Sequence, residues 1–206
     1  MDPTDAADLI AEVAEDGRDD RFRNRAALLI AILAAVLAIG GMGGGNATDD
    51  MISNNIAASN TWQFFQAKNI RQTAYELAVA DIEGALLTET NAGRRDLLER
   101  QRAEHLATIA RYDSDPDKSA PADPLRGEGK AQLSARAADY EAKFDRASSR
   151  DNNFDLAEVC LQLALVLGSV AILAMNRPIL YASVALGGLG ALLTLNGFLL
   201  LLPLPG

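Results

Sequence analysis

The chain has 206 residues, 28 of them acidic and 19 basic, and a net charge of −9. A single His (His105) and a single Cys (Cys160) exclude a Cys/His zinc site, an iron–sulfur cluster, a disulfide or a dithiol pair within one chain. The acidic balance lacks the clustered basic face that nucleic acid requires, so nucleic acid is not an expected partner, and no metal or cofactor is expected.

Residues 1–25 read as an acidic tail with eight carboxylates and four arginines, Arg18, Arg21, Arg23 and Arg25, all at its far end. Ala6, Leu9, Ile10 and Val13 recur at helical spacing, which gives a short amphipathic helix opened by Asp2 and Pro3, or a solvated stretch that frays. Its acidic face does not suit an anionic lipid surface.

Charge then almost vanishes. Residues 26–45, 156–175 and 179–202 hold one charged side chain between them, Glu158. A bilayer core of about 30 Å takes roughly 20 apolar residues at helical rise, which runs of 20, 20 and 24 residues meet. Three transmembrane helices are expected. Arg21, Arg23 and Arg25 precede the first run and the next basic residue is Lys68, and basic residues beside a span stay on the cytoplasmic side. The N-terminus is therefore expected inside, residues 46–155 outside, Arg177 in the Asn176-Arg177-Pro178 turn inside, and Pro203-Leu204-Pro205-Gly206 outside. Arg146 and Arg150 pull the other way. In a bacterium this describes a multi-pass inner-membrane protein with a periplasmic stalk. The first run is also longer, and its leader more acidic, than in a cleaved signal peptide, whose apolar region is about 7 to 15 residues.

Residues 46–155 read as helix nearly throughout. Between 47 and 89 there is no Pro and only Gly84, and Ile70, Ala74, Leu77 and Ala78 form an apolar stripe. Asn91-Ala92-Gly93 is expected to close that helix through a left-handed residue. A second helix spans 94–112. Residues 113–129, with Pro116, Pro121 and Pro124, are expected to be a solvated linker. A third helix, 130–154, runs into the second span. The outgoing helix would reach about 65 Å and the two returning pieces about 66 Å in sum. The fold expected is all-α: three transmembrane helices, with a long antiparallel helical hairpin stalk between the first and second.

Trp62, Phe64 and Phe65 stand about 25 Å beyond the first span, above the headgroup aromatic belt. They are expected to pack against the return helix or against another subunit or protein partner. In the third span Ser183, Gly187 and Ala191 recur at every fourth position and Asn196 adds an amide, so that side is expected to face protein. Gly187 and Asn196 thus join the candidate oligomer interface.

Other motifs carry less chemistry. The glycines from Gly40 to Gly45 lack the Lys-Ser/Thr and preceding strand of a phosphate loop, and Gly127-Glu128-Gly129-Lys130 is followed by Ala131. They read as a flexible or closely packed helix end and as part of the linker. Arg95 with Glu99 and Arg100 with Glu104 are i,i+4 pairs on a solvated face, and His105 has no nucleophile elbow. No catalytic residue is assigned. The expectation is a non-enzymatic homo-oligomer held in membrane lipid, whose stalk mediates assembly or partner binding. The alternative is an ion-conducting oligomer lined by Asp49, Asp50, Glu158 and Gln162, with Ser169, Thr194 and Asn196 also in the spans.

Several segments carry a resemblance. Arg23-Asn24-Arg25, Gly44-Gly45-Asn46-Ala47, Ala58-Ser59-Asn60-Thr61-Trp62, Gln66-Ala67-Lys68-Asn69-Ile70-Arg71 and Tyr75-Glu76-Leu77 lie in and around the first span and the outgoing helix. Phe154-Asp155-Leu156-Ala157-Glu158 and Leu195-Asn196-Gly197-Phe198-Leu199 lie in the second and third spans. Together they resemble a bacterial membrane-protein family known only as a domain of unknown function. The resemblance covers both ends of the chain but not residues 89–129, and it implies this membrane layout without implying an activity.

Overall fold

The computed structural model describes residues 3–202, with side chains from Asp19 onward. Asp2, the apolar stripe of the tail and Pro203 to Gly206 lie outside the described side chains or residues. Among the described residues the fold is all-α: α1 (Pro3–Thr88), α2 (Ala92–Asp113), α3 (Lys130–Leu173) and α4 (Arg177–Leu199). Helices α1, α3 and α4 each contain a segment long and apolar enough to cross a membrane. The chain divides into two compact units, Met1–Asp50 with Arg146–Gly206, and Met51–Asp145.

The first unit packs α1, α3 and α4 around Leu33, Leu161 and Ala164, with Leu29, Val36, Leu37, Leu165 and Leu186 against them. Within a bilayer, helices gain little from hiding apolar surface, so close approach and buried hydrogen bonds must carry their association. The glycines supply the approach. Phe154, buried on α3, lies against Gly43 and Gly44 of α1 and Gly197 of α4, where an added Cβ would stand 2.5 to 3.3 Å from its atoms. The glycine run is thus uninterrupted helix, and part of it is a seat for one ring. Ser183 of α4 donates its hydroxyl to the Ala164 carbonyl at 2.6 Å.

The second unit is the antiparallel hairpin. Its return is made in two pieces along α1: Glu83 faces Arg102, Tyr75 faces His105 and Gln72 faces Asp113 on α2. Asn69 then faces Lys130, and Trp62 faces Glu141, on α3. Ala58, Val79, Leu133 and Ala137 are buried, whereas α2 contributes no buried residue and is held by polar and ring contacts.

Two expected helix ends are corrected, and the linker between α2 and α3 proves organised. Asn91 does not close α1 in a left-handed conformation; it is extended (φ −78°, ψ 118°) and caps the start of α2, accepting from the Arg94 amide at 3.1 Å. Residues 114–129, expected as a solvated linker, are exposed or half-buried nearly throughout and are tied together internally. Pro116 bridges Gly127, the Glu128 amide donates to Asp115 O at 2.9 Å, and the Asp117 amide donates to Arg126 O at 3.3 Å. Gln132 and Arg136 on α3 tie this loop down, the first accepting from the Asp115 amide and the second donating to Gly127 O at 2.7 Å. Helix α4 ends at Leu199 rather than 202, because Leu200 turns left-handed (φ 48°) and Asn196 holds the Leu202 backbone through both its amide atoms.

Candidate interaction surfaces

The aromatic cluster splits. Trp62 is half-buried and donates its indole Nε1 to Glu141 Oε1 at 2.7 Å, and its ring meets Phe65 edge-on at 5.4 Å. Both therefore have partners inside the hairpin. Phe64 is 66% exposed and borders a cleft lined also by Lys68, Tyr112 and Leu133.

A second surface runs along α1. Seven-residue steps return a helix to within about 20° of the same face. Ala58, Phe65, Gln72 and Val79 share that step and form the covered side. Ile56, Gln63, Ile70 and Leu77 share it too, beginning two residues earlier and so about 200° around the helix. This other side is open: Ile56 is 55%, Ile70 70% and Leu77 64% exposed. Ile52, one turn before Ile56, is exposed as well. Two apolar seams on opposite faces of one helix, only one of them covered, are more than scattered surface residues. Between residues 51 and 80 the charges are Lys68, Arg71 and Glu76 alone, in a chain of net −9.

Gly187 and Asn196 are buried by the chain itself. An added Cβ at Gly187 would stand 2.6 Å from Leu33 Cδ2 on α1, and Asn196 donates to Asn153 Oδ1 on α3 at 2.7 Å. Asn153 is 1% exposed and donates in turn to Ser149 O. Thr194 is also buried, bonded to Gly190 O, and Ser169 bonds Leu165 O within its own helix. Asp49 and Asp50 are exposed. Glu158 and Gln162 are exposed on α3, and the Gln162 amide donates to Glu158 Oε1 at 2.7 Å.

Among the described residues no group of three or more His, Cys, Asp or Glu could hold a metal ion. His105 is a ring partner of Tyr75, with centroids 5.1 Å apart. Sequence reasoning passed over Gln72, buried with its amide on Asp113 and Glu76, and over Gln132 and Arg136, which organise the loop. Gln72 was legible in principle, since it falls on the seven-residue step of Ala58 and Val79; the loop anchors had no such signal.

An all-helical chain with three helices able to cross a membrane and a helical hairpin between the first two defines a class of architecture. The chain belongs to the family described as "Domain of unknown function (DUF4337)", whose model matches residues 22–200 and so runs through the middle segment as well as both ends. No curated protein and no solved structure matches it.

Proposed function

We propose that this is a non-enzymatic membrane protein that assembles with copies of itself through the outward seam of α1. The observation that carries this is the exposure of Ile56, Ile70 and Leu77, spaced by two steps of seven residues and then one, opposite the seam that α2 and α3 cover. Apolar side chains at that spacing pack helix against helix, and a polar Gln63 among them favours one register. A second copy suits the face because the segment is nearly uncharged, so two copies bring little repulsion together. Another protein with a similar seam is the competing occupant. The arginines before residue 26 support a cytoplasmic N-terminus and, in a bacterium, an inner-membrane location.

Light scattering of the purified full-length protein in detergent tests this. The wild type should have the mass of an oligomer, and Ile70→Glu with Leu77→Glu should give monomers of unchanged helical content. A monomeric wild type would remove the proposal. Labelling of cysteines placed at Asn24 or Ser134, with Cys160 replaced, tests the orientation: on intact cells only the Ser134 position should react.

One observation favours an ion-conducting assembly as a second reading. Glu158 and Gln162 lie exposed within the apolar part of α3, where a carboxylate facing hydrocarbon is costly, so a protein or water-lined neighbour is favoured. Bilayer conductance that changes cation selectivity in Glu158→Gln would support it, and absence of conductance would remove it.

A further inference from the structure

Arg21 and Arg25 stand one turn apart on α1, just before the apolar run, and Arg177 and Tyr181 stand one turn apart at the start of α4. With Phe22 and Leu180 they line a cleft of about 410 Å³ within the first unit, and among the described residues no carboxylate lines it. Arg21 has a partner of its own. Arg25 and Arg177 form no ion pair or hydrogen bond among the described residues. Two elements far apart in sequence thus bring the Arg25 and Arg177 guanidinium groups to one cleft, whose described lining offers their mutual repulsion no counter-charge.

We propose that this cleft binds a phosphate group, presented as the headgroup of an anionic phospholipid. A guanidinium offers a rigid fork of donors that matches phosphate oxygens, and groups from two helices can grip opposite sides of one phosphate. The depth is right. Arg25 directly precedes residue 26, where the apolar run starts, and Arg177 opens α4 directly after the short connection from α3, so both stand at the level of lipid phosphates. The apolar part of the lining suits the same ligand: Phe22 and Leu180 offer surface to the glycerol and upper acyl chain, and Tyr181 combines a ring with a hydroxyl. Free phosphate shares the charge chemistry but makes no use of those side chains.

Native mass spectrometry of the full-length protein in detergent, titrated with phosphatidylglycerol or phosphatidylcholine of equal acyl length, tests the site. The wild type should retain phosphatidylglycerol preferentially. Its apparent affinity should fall about fivefold for each arginine replaced in Arg25→Gln and Arg177→Gln. Arg25→Lys with Arg177→Lys, which keeps the charge and loses the fork, should fall between and guards against a folding defect. Arg146→Gln, outside the cleft lining, should bind as the wild type does. Equal retention of the two lipids, or unchanged retention in both double variants, overturns the proposal. Tight binding of inorganic phosphate that these arginines control, without preference between the lipids, would keep the phosphate chemistry and overturn the headgroup as its source.

Discussion

Asp113, the last residue of α2, and Lys130, the first of α3, form an ion pair of 3.3 Å although sixteen residues of loop separate them. Each is also tied to α1. Gln72 donates to Asp113 Oδ1 at 3.0 Å, and Lys130 donates to Asn69 Oδ1 at 3.2 Å. The two return helices therefore meet nearly end to end on neighbouring turns of α1. The loop between them is an excursion from a path that is already closed.

That geometry makes the outer part of the loop replaceable. Pro116 and Gly127 are already bridged, so Asn-Gly in place of residues 117–126 leaves a two-residue hairpin connection of the favoured kind. Halving a loop alters its closure entropy by only about 0.6 kcal/mol. The shortened protein should keep its helical content and unfold within about 1 kcal/mol of the wild type by circular dichroism in detergent. A much larger loss would mean that residues 117–126 support the helices directly.

Gly127 should not be replaceable. Its φ of +124° is rarely open to residues with a side chain, and an added Cβ would run into the Asp115 backbone. Gly127→Ala should store about 1 to 3 kcal/mol of strain, relieved by opening the loop. Protease cleavage between 117 and 126 should accelerate, with the helices intact. Gly41 is the contrast: it is helical with nothing within 4 Å of an added Cβ, so Gly41→Ala should stabilise by about 0.5 to 1 kcal/mol. Matching cleavage rates in Gly127→Ala and wild type would sink the account.

The helical layout was legible because apolar runs and periodicity report it directly. Three runs of membrane length, a break near Asn91 and proline clustering after Asp113 place four helices to within a few residues at most ends. The length match between outgoing and returning pieces pointed to the two-part return that Asp113 and Lys130 now join. What escaped depends on contacts between distant residues. Asn91 has the same composition signal whether it ends one helix or caps the next. Nothing in the order Gly127-Glu128-Gly129 shows that Asp115 lies against it, and the pairing of Trp62 with Glu141 is invisible without the register of the hairpin.

Loop order should depend on pH through Asp117. The Ser119 amide and then its hydroxyl donate to this carboxylate, at 2.8 and 2.7 Å, and hold its pKa below the ordinary 3.8. A lowered folded value means that this contribution is complete above 3.8 and is lost as the pH falls through the folded value. Protection of the Ser119 amide from hydrogen exchange, corrected for intrinsic rates, should therefore be flat above that range and decline below it. Asp117→Asn should be less protected near neutral pH and should lack the acid decline; an identical profile in the variant would exclude Asp117 as the group responsible.

The amide pair Asn153–Asn196 joins α3 to the C-terminal end of α4. Asn196 donates to Asn153 Oδ1 and to Leu202 O, and accepts from the Leu202 amide. Hydrogen bonds between membrane helices contribute about 0.6 kcal/mol on average, and up to about 2 kcal/mol, because the separated helices also find partners. Asn196→Leu should cost an amount in that range, since it strips the Leu202 backbone of its cap and leaves the buried Asn153 carbonyl oxygen without its donor. Asn153→Leu should cost a similar amount. The double variant leaves neither amide seeking the other, so it should cost at least 0.5 kcal/mol less than the sum of the two, by the usual coupling of residues in contact. Reversible unfolding in mixed detergent, read by Trp62 fluorescence and circular dichroism, gives all three values. Additive costs would mean that the two side chains act independently, with Asn196 contributing through Leu202 alone.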